Sequence, residues 1–143
     1  ELTRHKEISS NVILGEGTLM DDPIYRRKIE KTEIELLATE FTELRTLSQI
    51  SSGGSPGPES SILKIKGTEL QQDISELFIE MLGYYSHPFL KGSNLGSNTS
   101  IGPDYATPAM PHYLNLRKAS IYGGSNEIQR NVIATRGLGL PRG

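Results

Sequence analysis

The eight residues Ser51-Ser52-Gly53-Gly54-Ser55-Pro56-Gly57-Pro58 constrain this chain more than any other stretch. Two prolines and three glycines in so short a run cannot stay helical, and the sequence on either side reads as a long helix. Upstream, Asp21-Asp22-Pro23 is a strong helix start. It has an acidic cap, a proline where a missing N–H costs nothing, and negative charge at the positive end of the helix dipole. The helix predicted from there runs to about Ser48. Ile34, Leu37, Phe41, Leu44 and Leu47 follow three- and four-residue steps on one face, as in a bundle helix, and Lys31/Glu35 form an i,i+4 surface pair. Downstream, a second helix starts at Glu59 or Ser60 and runs to about Leu82, with Leu63, Leu70, Ile74, Leu77, Phe78 and Met81 as its apolar stripe. The fold class is all-α, an up-and-down helical bundle.

The rest of the chain adds shorter pieces. Residues 1–20 read as the end of one element and a loop, and 21–143 as the bundle domain. Residues 83–108 are rich in Gly, Ser, Asn and Pro and read as a long loop, in which Tyr84, Tyr85, Phe89 and Tyr105 argue that part of it packs. A short helix is predicted over 112–120 and a last one over 126–136, ending at Gly137. No strand signal rises above background. Gly67, inside the second long helix, suggests either close approach by a backbone or ligand or simple tolerance.

A chain of 143 residues holds one core, so a single domain is the default. Its net charge of −2, with acids and bases interspersed, argues against nucleic acid and against a charged membrane surface as partners. Without cysteine there is no disulfide, thiolate metal site or thiol nucleophile. No apolar run of transmembrane length and no signal-peptide pattern is present, which fits a cytoplasmic setting. The opening at Glu1, in an already structured-looking stretch, reads as a piece of a longer protein.

His5, His87 and His112 lie far apart and lack ligand spacing, so no metal site is expected. Capping explains Ser60 and Ser61, and Arg26-Arg27-Lys28 reads as a solvated helix face. Lys64 and Lys66 on the second long helix could meet an anion, but a surface role is the favoured reading. The suggestive segment is Ile121-Tyr122-Gly123-Gly124-Ser125-Asn126-Glu127-Ile128-Gln129-Arg130. Its glycines allow a sharp turn, Ser125 or Asn126 can cap the helix that follows, and a helix start suits the phosphates of a nucleotide or cofactor. Taken bare, such a pattern is more often an ordinary capped loop.

That segment, with Tyr113-Leu114-Asn115-Leu116-Arg117-Lys118-Ala119-Ser120 before it and Asn131-Val132-Ile133-Ala134 and Leu138-Gly139-Leu140-Pro141 after it, resembles the last signature of acyl-CoA dehydrogenases almost residue for residue. Pro58-Glu59-Ser60-Ser61-Ile62-Leu63-Lys64 with Glu69-Leu70-Gln71-Gln72 resembles that family's third bundle helix. Asp22-Pro23 with the helix to Thr46 resembles the second. Roughly residues 21–143 are covered, with the loop 83–107 matching poorly.

The resemblance implies the C-terminal helical domain of a FAD-dependent enzyme that introduces an α,β double bond into an acyl-CoA. It also implies an electron-transfer protein as acceptor and self-association as dimer or tetramer. The first bundle helix is then mostly missing, its tail being Glu1 to about Ile8, so the bundle is incomplete and the isolated piece is expected to be inactive. An incomplete bundle leaves an apolar stripe without a partner within the chain, which a second copy is expected to cover. By the same likeness Arg4, Ser125 and Glu127 contact FAD, and Tyr122, Gly123 and Gly124 line the acyl pocket. The departure is Gly123, where many members carry the glutamate that removes the α proton. Glycine is no base, so no catalytic residue is assigned, and the glutamate is expected on the first bundle helix. The family's glutamine and glycine motif after the third helix is not evident around residues 82–89. A non-catalytic dehydrogenase-like subunit is the alternative, and an acyl-CoA oxidase a further one.

Overall fold

The computed structural model describes residues 1–88 and 101–141. They form an all-α fold with helices α1 (Leu2–Ser9), α2 (Pro23–Ser51), α3 (Glu59–Leu82), α4 (Ala109–Leu116) and α5 (Asn126–Val132). One small hairpin, β1 (Ile13–Leu14) with β2 (Gly17–Thr18), lies between α1 and α2. Periodicity does not reveal this hairpin, because two-residue strands carry no period. Its turn is chemically defined: Gly15 has φ +61° and Glu16 does not have positive φ, the pattern of a type II′ turn. Asp22 caps α2 by accepting from the Ile24 amide at 3.0 Å, with Pro23 as the first helical residue.

By internal contacts the chain divides into two units, Glu1–Thr32 with Gln72–Arg117, and Glu33–Gln71 with Lys118–Gly143. The first unit holds a core built on Tyr25 and Ile29 of α2, Leu77 and Met81 of α3, Leu2 of α1 and Ala109 of α4. Burying each of the larger side chains stabilises the fold by about 1.5–3 kcal/mol. The Tyr25 hydroxyl donates to the Leu77 carbonyl at 3.3 Å, and burial pushes its pKa up to about 12. Phe78 packs its ring against His5 at 4.6 Å and against Tyr105 at 6.3 Å.

Residues 83–86 and 104–106 are 3-10 turns within the stretch read as loop. Tyr105 packs against the core, whereas Tyr84 stays exposed and Phe89 lies outside the described residues. The α4 helix begins at Ala109, before Pro111, and its helical pattern gives way to a 3-10 turn at Arg117. Proline in the first turn is tolerated because its missing N–H has no intrahelical acceptor there.

In the second unit the apolar stripe of the long helix α2 is its exposed face. Ile34, Leu37, Phe41, Leu44 and Leu47 are all exposed, Ile34 at 67% and Phe41 at 69%. Thr39 and Thr42 instead line a cleft of about 140 Å³ with Ile62, Leu63 and Lys66 of α3. The hydroxyls of Thr39, Thr42 and Thr46 each donate to the carbonyl four residues back at 2.8 Å. That bond lets threonine face a neighbour without an unsatisfied hydroxyl. The apolar period identifies which residues share a face; it carries no information on what that face meets. The expected stripe of α3 fares differently, with Leu70, Ile74, Leu77 and Met81 all buried.

Candidate functional site

The turn before α5 is built by two successive residues in the left-handed region, Gly123 at φ +66° and Gly124 at φ +87°. A Cβ at Gly124 would also lie 2.6 Å from the Gln129 amide nitrogen, which folds back and donates to the Gly123 carbonyl at 3.4 Å. Nothing lies within 4 Å of a Cβ placed at Gly123. The turn places Ser125 in extended conformation, φ −60° and ψ 157°, as the N-cap of α5. Its Oγ accepts from the Ile128 amide at 3.5 Å. A five-residue π turn, residues 133–137, continues α5.

Glu127 is exposed, and its carboxyl is held below the usual carboxylate range. The chief cause is its own backbone N–H, followed by the Ser125 hydroxyl, with smaller help from Arg130 and Lys64. It is therefore an anion at neutral pH. Tyr122 is 55% exposed, next to the turn. Tyr122, Gly123, Gly124, Ser125 and Glu127 thus share one short surface segment of the second unit. Arg4 belongs to the first unit, exposed on α1.

Anchoring to α3 gives the segment its fixed position. Asn126, 5% exposed, accepts at Oδ1 from Lys64 Nζ at 2.8 Å, with Thr68 Oγ1 3.4 Å away and its hydroxyl engaged by the Lys64 and Ile65 carbonyls at 2.9 Å. Arg130 reaches Glu69 at 3.2 Å, and Lys66 lies 3.5 Å from Glu69 and 3.9 Å from Glu35. Lys64 is therefore half-buried and bonded, where the sequence reads it as a surface residue. No sequence signal announces this pair, since 62 positions separate its members.

Chemically, the segment offers two different kinds of contact. Main-chain N–H groups at a helix start suit phosphate oxygens, and so does the Ser125 hydroxyl once its proton turns away from Glu127. An ionised carboxylate repels phosphate and accepts hydrogen bonds, so Glu127 suits a ribose hydroxyl or an amino group. The two together fit a nucleotide better than a bare phosphate. Gly123 supplies no titratable group, and among the described residues no cluster of three His, Cys, Asp or Glu side chains could hold a metal. No helix among them is long and apolar enough to cross a membrane.

The model of the acyl-CoA dehydrogenase C-terminal domain family matches residues 8–138. Acyl-CoA dehydrogenase IpdE1 of Mycobacterium tuberculosis is 32% identical over 139 residues, which is 96% of this chain and 32% of that protein. The fold resembles the ChsE4-ChsE5 complex of Mycobacterium tuberculosis, with a TM-score of 0.75 at 24% identity over 99% of this chain and 35% of that one. Butyryl-CoA dehydrogenase from Megasphaera elsdenii gives a TM-score of 0.71 at 15% identity, over 93% of this chain and 30% of that one. The chain spans about a third of the length of these relatives.

Proposed function

The chain belongs to the acyl-CoA dehydrogenase family, and on that premise we propose that the whole protein introduces an α,β double bond into an acyl-CoA with FAD as cofactor. The observation that carries this reading is the glycine turn that presents Ser125 and an ionised Glu127 side by side at the start of α5. Ser125 takes the phosphate end of the dinucleotide, and Glu127 a hydroxyl or amino group beside it. Arg4 is read as a contact to FAD from a neighbouring subunit. Tyr122, Gly123 and Gly124 line the acyl pocket.

FAD, held by Ser125 and Glu127, would supply the acceptor for the hydride of the β carbon. The α proton is taken by a carboxylate other than residue 123, since glycine has no side chain to receive it. That base must stay ionised in a closed pocket although desolvation raises its pKa, so neighbouring cations or donors are needed around it. An electron-transfer protein is the proposed acceptor of the reducing equivalents.

Self-association is read from the exposed face of α2. Five large apolar side chains on one helix face, opposite a threonine-lined one, form a patch of the kind that soluble proteins cover by assembly. A second copy of the chain is the proposed cover, giving a dimer or tetramer.

An anaerobic titration of the intact protein with a panel of acyl-CoA thioesters, following oxidised flavin absorbance, tests the reading. Bleaching by one thioester supports flavin-dependent dehydrogenation with a base outside Gly123. A folded protein that holds no flavin overturns it. Gly123 is the specific observation behind a second reading, a non-catalytic subunit of dehydrogenase fold, and the flavin-free outcome favours that one.

A further inference from the structure

Within residues 121–130 the side chains assigned to the ligand are presented outward, and the one between them is buried. Ser125 is half-buried, Glu127 is exposed, and Asn126 is tucked against α3. Its Oδ1 receives the Lys64 ammonium at 2.8 Å, and Thr68, one turn further along the same face of α3, adds a longer contact at 3.4 Å. The Arg130–Glu69 pair is solvent-exposed, and exposed pairs contribute little. The charge-assisted bond from Lys64 is thus the strongest polar link between α3 and the start of α5.

Two consequences follow from the chemistry of this pair. Asn126 is neutral, so the bond does not cancel the lysine's positive charge, which remains beneath a segment assigned to an anionic ligand. A clamped Asn126 also removes the freedom of its neighbours, because Ser125 and Glu127 are joined to it by single peptide units. A site fixed before binding loses less conformational entropy when the ligand arrives.

Resting on the assignment of Ser125 and Glu127 to the dinucleotide, we propose that Lys64 is the positioning residue of that site. It clamps Asn126 and thereby presets Ser125 and Glu127, acting through Asn126 rather than by touching the ligand.

The test is the dissociation constant of FAD from the intact protein, read by flavin fluorescence at a temperature where circular dichroism shows every variant folded. Lys64→Met and Asn126→Ala are each expected to weaken binding about tenfold, a loss on the scale of one charge-assisted contact. The double variant is expected to be no weaker than the worse single one, because the two residues act as one unit. Lys64→Arg, which keeps the charge and a donor, recovers most of the affinity. Arg117→Met, a destabilised variant altered in the other unit, retains it.

Binding by Lys64→Met within twofold of the parent, while Ser125→Ala is impaired, overturns the positioning role and leaves the site assignment standing. Full additivity in the double variant also overturns it, as does loss of FAD by Arg117→Met in step with its stability. Parent-like binding by both Ser125→Ala and Glu127→Ala overturns the site assignment itself.

Discussion

Gln72 and Arg117 bond each other in both directions. Arg117 Nη2 donates to the Gln72 carbonyl at 3.0 Å, while the Gln72 side-chain amide donates to the carbonyls of Leu116 and Arg117 at 3.2 and 3.3 Å. The same guanidinium donates to Ser75 Oγ at 3.0 Å, reaches the Tyr113 carbonyl at 3.3 Å, and lies 4.2 Å from the Tyr113 ring centroid. The lock lies where α4 passes into its 3-10 turn, so it satisfies carbonyls that the helix end leaves without partners. Arg117→Met is expected to destabilise the fold by about 2–4 kcal/mol, measured by urea unfolding, because several partners lose their donor at once. Arg117→Lys should recover little of this, since an ammonium cannot reproduce the planar fork.

Phe41 belongs to the exposed stripe of α2, and substituting it removes no buried contact. Phe41→Glu should leave circular dichroism and, at concentrations where both proteins are monomeric, melting temperature close to the parent's while weakening self-association by about 2 kcal/mol or more, a factor of about thirty. Light scattering across a concentration series checks this. A parent protein that is monomeric at high concentration would remove the basis for the second-copy reading.

What could be read in advance follows the physics of each signal. The inward face of α3 is legible because Leu70, Ile74, Leu77 and Met81 combine period and burial in the usual way. The same periodic signal on α2 finds a true stripe, but the threonines on its inner face leave no such trace, since they bond their own backbone. At the candidate site, the two glycines and Ser125 announce a capped turn locally. Lys64 and Asn126, like Gln72 and Arg117, form polar pairs across long sequence separations, which leave no periodic or compositional trace. Gly123 is legible as a departure only because a family pattern exists to compare it with.

His5 makes stability depend on pH. Burial lowers its pKa from the ordinary 6.5, and the bond from Nδ1 to the Glu1 carbonyl at 2.9 Å offsets this only in part. Nε2 is buried with no hydrogen-bond partner among the described residues, so the ring is held neutral. The unfolded chain binds a proton near pH 6.5 that the folded one refuses. Stability from this group is therefore complete above 6.5, falls as pH drops below it, and levels off beneath the folded value. The slope contributed is at most about 1.4 kcal/mol per pH unit. Denaturant unfolding of the parent and of His5→Leu between pH 7 and 5 should show the leucine variant with the shallower slope, and their difference isolates His5 from the other titrating groups. Equal slopes would mean that His5 is protonated as readily in the fold as outside it.

Gly67 separates tolerance from contact. In the interior of α3 a glycine costs up to about 1 kcal/mol relative to alanine. A Cβ placed there meets nothing within 4 Å, so no group among the described residues explains the glycine by close approach. Gly67→Ala is accordingly expected to stabilise the fold by about 0.5–1 kcal/mol, seen as a melting temperature higher by a few degrees. Measuring mass by light scattering alongside the melt distinguishes the two explanations. A stabilised variant that still assembles assigns Gly67 to simple tolerance. One that is stabilised but dissociates places another chain against this turn of α3, where the missing Cβ lets its backbone come near.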